Sequence, residues 1–357
     1  MIVYITVVRA RRLLILCHRY LGIGLSPLLV MWFLTGITMI FAGGMPEVDP
    51  GDRLQRLSPI DFDRVRLSPS AAASKARLSD TPSRVTLLTI IDRPAYRFES
   101  RDADDDDTTI VFADTGELLN VGAEESLRIA ARYIRQPLSD LEYGGLLRDP
   151  DQWTLTVRHQ LPLHKIAVDD RGRTVLYISP LTANVVMVTT ARTRALAWIS
   201  AIPHWLYFTA LRSRNTWWRQ MILWSSGMGF VTSAIGIVLA LVQRKTRYAR
   251  WMKWHYWTGV AFGVFALTWT FSGLLSIEPG NWASPVDGPG GRMASARRIP
   301  EALAGGSLDV SAYQAFDSRA WRKLLGGDVA KEISLRRIQG DPYYEVRRVG
   351  SEVGGVV

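Results

Sequence analysis

Three long apolar runs interrupt an otherwise polar chain. The first extends from about Leu13 to Phe41 and is closed by Pro46, Asp49, Pro50 and Gly51. The second, about Met221 to Val242, follows Trp217 and Trp218; the third, about Trp254 to Ile277, meets Glu278, Pro279 and Gly280. At about 1.5 Å of rise per residue, each can cross a hydrocarbon core roughly 30 Å thick, which predicts three membrane helices. The first run is too long for a signal-peptide core, and no clean small-residue cleavage site follows it. Ala195 to Leu211 is apolar and aromatic (Trp198, Trp205, Tyr207, Phe208), but Arg212, Arg214 and Arg219 separate it from the second run. It reads as one interfacial amphipathic helix.

Between the runs the pattern shortens to strands and turns. Val85 to Phe98 reads as two strands joined by a turn around Pro94, and Thr108 to Phe112 as a third strand before a turn at Asp114-Thr115-Gly116. Ser68 to Leu78 and Glu124 to Arg135 read as helices. Leu163 to Val168 and Val175 to Ser179 form a hairpin around Asp170-Arg171-Gly172, and Val185 to Thr189 is a further strand. The polar regions are therefore α+β: a helix on a small antiparallel sheet, repeated.

The chain also resembles itself. Val85 to Phe98 aligns without gaps to Ile333 to Val346, and each copy follows a helix-like stretch, the second being Val310 to Leu325. The first run begins His18-Arg-Tyr-Leu-Gly22 and continues to Thr35-Gly36; the third begins His255-Tyr-Trp-Thr-Gly259 and continues to Ser272-Gly273. In both, glycines follow the histidine by four and eighteen residues. Eighteen residues is five turns, so each histidine shares a helix face with its distal glycine, and small residues there let a helix or flat ligand approach. The last copy ends at Val357 before its third strand and no fourth span follows, so the repeat predicts a truncated chain.

The charge balance orients this layout. The net charge is +10, and Arg9, Arg11, Arg12 and Arg19 flank the first run while Arg244, Lys245, Arg247, Arg250 and Lys253 fill the loop between the second and third. Both clusters fit a cytoplasmic placement, which puts the α+β regions in the periplasm and accounts for the basic excess without nucleic acid. Arg212, Arg214 and Arg219 lie on the wrong side for that rule. The acidic run 101–107 reads as a solvated loop. The single cysteine, Cys17, excludes an intrachain disulfide and any cysteine-based zinc or iron–sulfur site within this chain, and reads as apolar filling.

These features resemble the PepSY-associated transmembrane family. The resemblance rests on His18 to Gly36, its echo His255 to Gly273, the segment Ile202 to Arg212, and the strand–turn–strand Val168 to Thr182. In the last, Ser179 and Ala183 replace the Asp and Gly of the family's turn. The resemblance covers nearly the whole chain. It implies a bacterial inner-membrane helical bundle with periplasmic PepSY-like α+β domains, normally with four spans. Some members resemble di-haem reductases of ferric siderophores. The expected organisation is a cytoplasmic tip and first span (1–42), a tandem PepSY-like region (43–194), the interfacial helix (195–216), the second span (217–243), a cytoplasmic loop (244–253), the third span (254–277) and a second periplasmic region (278–357).

Five histidines are available. His18 and His255 enter the membrane at one depth on related helices; neutral imidazoles there suit the axial positions of a b-type haem, with Gly22, Gly36, Gly259 and Gly273 making room. The alternative is interfacial histidines that pack and snorkel. His204 could hold a second haem with a histidine from a fourth span, or cap a helix. His159 and His164 read as sheet residues, and Arg192, Arg194, Arg212 and Arg214 as solvated or anion-facing. No nucleophile–base motif, P-loop or dinucleotide fingerprint is present. Two functions remain open: b-haem electron transfer from an unknown donor to a periplasmic ferric siderophore, or a membrane-anchored module that holds a peptide or partner protein by strand addition.

Overall fold

The computed structural model describes residues 2–78, 81–99, 108–243, 249–277, 308–348 and 355–356. The acidic run 101–107 and residues 244–248 of the basic loop lie outside them. In chain order the helices are α1 (Ile2–Ala42), α2 (Pro50–Arg56), α3 (Pro69–Ala76), α4 (Ala123–Ile134), α5 (Ala191–Ile199), α6 (Ala201–His204), α7 (Thr209–Arg212), α8 (Asn215–Val242), α9 (Arg250–Leu275) and α10 (Ser318–Leu325). The strands are β1 (Arg84–Ile90), β2 (Arg93–Glu99), β3 (Thr108–Phe112), β4 (Leu141–Leu147), β5 (Leu163–Val168), β6 (Val175–Ile178), β7 (Val185–Thr189), β8 (Ala330–Ile338), β9 (Asp341–Arg348) and β10 (Gly355–Val356). Two compact units result: Met1–Gly44 with Leu196–Met293, and Met45–Ala195 with Ala294–Val357.

In the first unit, α1, α8 and α9 are long and apolar enough to cross a membrane. Large apolar side chains such as Ile40, Phe41, Trp254 and Phe262 point outward, as bilayer-facing positions do. Helix α8 packs against both α1 and α9. Small residues set its approach to α9: a Cβ on Gly229 would lie 3.1 Å from Thr270 Cγ2, and one on Gly273 3.3 Å from Ser226 Oγ. Hydroxyls return to carbonyls one turn back, Ser225 to Met221 and Thr232 to Met228 at 2.7 Å each, so they need no water.

The expected single helix over 195–216 is corrected. The segment is broken into the end of α5, then α6 and α7. Ser200 leaves helical geometry at φ −127°, ψ −92°, and Leu206 takes a left-handed φ of 51°. This break turns α6 back against α1.

The second unit holds two antiparallel sheets, one ordered β10-β9-β8-β1-β2-β3 and the other β4-β5-β6-β7. Helices begin where the sequence supplies caps: Ser68 Oγ accepts from Ala71 N–H, Asp317 accepts from Arg319 and Ala320 N–H, and Glu125 accepts from Gly122 N–H. On β1–β2, Val85 faces Phe98 and Leu87 faces Tyr96; on β8–β9, Ile333 faces Val346 and Leu335 faces Tyr344. The registers coincide after a shift of 248 residues, and Thr86 and Ser334, separated by that interval, face each other where β1 pairs with β8. Around this pair Val85 opposes Leu335 and Leu87 opposes Ile333, as a local two-fold axis requires.

One face of the six-stranded sheet buries Val85, Leu87, Tyr96, Phe98 and Ile333 against Ala72 of α3 and Trp321 and Leu325 of α10. The opposite face buries Leu88, Ile90 and Ile110 against Ile129 and Ala130 of α4 and against Ile166 and Leu176 of the second sheet. The two sheets thus share a core. Three local expectations change. Pro94 lies inside β2, with the turn at Ile91 and Asp92, both at positive φ. Strand β4 was not foreseen, because its side chains are at most half-buried and Gly144-Gly145 break its register. A third strand of the last copy does begin, at Gly355 and Val356 beside β9.

A buried ion cluster ties this unit together. Arg53 on α2 grips Glu332 on β8 through both guanidinium nitrogens, at 2.8 and 2.7 Å. Arg97 on β2, itself buried, donates to the Thr182 carbonyl and to Asn184 Oδ1 beside the second sheet. Burial disfavours charge on Glu332, but Arg53, Arg97 and Arg347 outweigh it and hold its pKa below the usual carboxylate range.

Candidate functional site

His18 lies on α1 and His255 on α9, and their ring centres are 5.9 Å apart with planes tilted by 45°. His18 Nδ1 is 3.0 Å from the Thr232 carbonyl of α8. A carbonyl only accepts, so Nδ1 is the donor in this contact and Nε2 is left free of it. Gly236, one turn beyond Thr232, makes this reach possible: a Cβ there would stand 2.7 Å from His18 Cε1.

His204, at the end of α6, repeats the device on α1. Its Nδ1 is 3.1 Å from the Trp32 carbonyl and 3.3 Å from Thr35 Oγ1. Gly36, one turn beyond Trp32, admits the ring, and a Cβ there would lie 3.0 Å from His204 Cε1. The Trp32 indole N–H is buried without a hydrogen-bond partner among the described residues. His18 and Gly36 are eighteen residues apart on one helix, about 27 Å of rise. The two imidazoles therefore occupy opposite ends of the bundle, each fixed through Nδ1.

The remaining histidines behave differently. His164 is buried on β5 and uses both nitrogens, with Tyr143 Oη at 2.9 Å and the Val121 carbonyl at 3.0 Å. His159 is exposed. Among the described residues, no group of three or more His, Cys, Asp or Glu side chains could hold a metal ion.

A family model for the PepSY-associated TM region matches residues 15–327. The chain belongs to this family. No curated protein and no solved structure matches it significantly. As a PepSY-associated TM protein with three apolar helices it is a membrane protein.

The glycines singled out from the sequence separate by role. Gly36 is filled by the His204 ring and Gly273 by Ser226 of α8, so both are packing positions. Gly22 has only Thr232 Cγ2 at 4.0 Å, and Gly259 has no neighbour within 4 Å. Of the arginines, Arg194 donates to Thr189 Oγ1 and the Arg173 carbonyl, and Arg212 stacks over Trp218 and Tyr207. Thr232, Gly236 and Trp32 escaped the sequence reading. A glycine one turn after a carbonyl that a histidine must reach is their common signal, and it shows only once the helices are placed side by side.

Proposed function

We propose that this PepSY-associated TM protein binds a b-type haem between His18 and His255 and carries electrons across the bacterial inner membrane. The observation that carries the reading is the ring pair at 5.9 Å, with His18 oriented by the Thr232 carbonyl. A ring-centre separation of 5.9 Å brings the two imidazoles close enough for both to hold one metal ion, which supports the reading. A histidine that donates its second nitrogen to a backbone carbonyl is oriented and made more basic as a ligand. Haem bound there would supply a one-electron carrier whose potential depends on ligation and burial. His204, with its Nδ1 held by Trp32, is the candidate ligand at the other end of α1.

The basic clusters beside the first span and between the second and third support a cytoplasmic position for His18 and His255 and a periplasmic position for the α+β unit. A ferric chelate such as a siderophore is the acceptor class; its Fe(III) takes one electron and becomes Fe(II). The deciding experiment is the visible absorption spectrum of the detergent-purified chain, oxidised and dithionite-reduced, after expression with haem supplied. A Soret band weakened by a His18→Ala, His255→Ala variant is the expected result. Absence of the band in the wild-type chain, or a band of unchanged amplitude in that variant, overturns the assignment.

A further inference from the structure

We propose that the α+β unit carries a second, unassigned site: a basic cavity that binds a small organic molecule bearing two or more carboxylate or phosphate groups. The cavity is about 780 Å³ and is lined by Arg56, Arg128, Arg132, Arg135 and Lys331, with Asp92 as its only acidic residue. These cations come from three directions: the end of α2, the outer turns and C-terminus of α4, and the start of β8.

Partners within the protein leave a surplus. Arg132 pairs with Asp92, and Arg128 with Glu124, which lies outside the cavity lining. Arg56 donates to the Tyr133 carbonyl at 3.1 Å and rests on that ring at 5.0 Å, contacts that position it without cancelling its charge. Lys331 is nearly buried and donates to the Leu57 carbonyl. Among the described residues, no carboxylate pairs with Lys331 or Arg135. Burial chiefly, and the nearby Arg135 charge in addition, lower the Lys331 pKa. Arginines late in α4 also oppose the helix dipole, but that does not account for Arg56 and Lys331 converging on the same space from other elements.

The chemistry of the lining selects the ligand. Guanidinium forks match the planar oxygens of carboxylate and phosphate, and several together favour more than one such group. Pro59, Ile91 and Leu138 add apolar wall, which suits an organic body over a bare ion. The volume lies in the ordinary range for small-molecule pockets. This site is independent of the electron-transfer reading, since its test needs no cofactor.

The test is isothermal titration of the detergent-purified full chain at low ionic strength, with citrate and inorganic pyrophosphate as separate probes. The variant is Arg128→Gln, Arg135→Gln, two exposed positions, with thermal melting to verify its fold; Arg171→Gln, Arg319→Gln removes two exposed charges elsewhere on the same unit. Saturable binding of either probe, weakened at least tenfold by the first variant and unchanged by the second, is expected. The tighter probe assigns the carboxylate or phosphate class. Binding of neither probe, or equal loss in both variants, overturns the proposal, because a general attraction to a basic protein would not distinguish the two pairs.

Discussion

Gly236 stands against the imidazole of His18, closer than a Cβ could be tolerated: one built there would lie 2.7 Å from Cε1. Gly236→Ala should push the ring off the Thr232 carbonyl, costing about 1 kcal/mol for the hydrogen bond and about 1–3 kcal/mol for overpacking. Gly24→Ala, where no atom lies within 4 Å, should be neutral or slightly stabilising. Thermal melting in detergent distinguishes the two, and comparable losses would remove the special role of Gly236.

Histidine substitutions should sort by how many ring nitrogens the protein already uses. His164→Ala removes a buried ring bonded at both nitrogens and should cost about 2–4 kcal/mol while leaving any Soret band intact. His204→Ala should cost less and perturb the spectrum. A spectrum altered by His164→Ala and indifferent to His204→Ala would reverse the assignment of structural and ligand histidines.

Glu332→Gln should destabilise the α+β unit by about 3 kcal/mol, because it leaves the half-buried Arg53 without its bidentate counter-charge and leaves the buried Arg97 with Glu99 alone. Hydrogen exchange of the β8 and β9 amides would register the loss. Exchange at wild-type rates would show that the cluster contributes no net stability.

Acid should act on the same unit. The pKa values of Glu332, Asp151 and Asp114 are lowered in the folded protein. A lowered carboxyl contributes stability that is present above its unfolded value, near 4, and is lost as pH falls through the folded value. Urea midpoints should therefore be flat above about pH 5 and fall progressively below about pH 4. Midpoints that rise on acidification would contradict the cluster's sign.

Much of this was legible in the sequence. The spans follow from length and hydropathy, and the duplicated hairpins from Val85 to Phe98 and Ile333 to Val346, because alternation and turn residues are local signals. The reach of His18 to Thr232 was not legible, because it depends on how α1 and α8 pack. Strand β4 hid because a partly exposed edge strand with a Gly-Gly bulge carries no clean alternation. The helix expected over 195–216 failed because hydrophobic content marks an interface and does not show where backbone dihedrals break.

The six-stranded sheet imposes an order on synthesis. Strand β1 is interior, yet its partner β8 is made about 250 residues later, after α8 and α9 have left the ribosome. At about 5–20 residues per second, one side of β1 waits roughly 12–50 s with its amides and carbonyls unmatched. An unmatched strand side recruits other strands, so the nascent chain invites mispairing in that interval. Pairing of β1 on both sides therefore has to follow synthesis of α8 and α9.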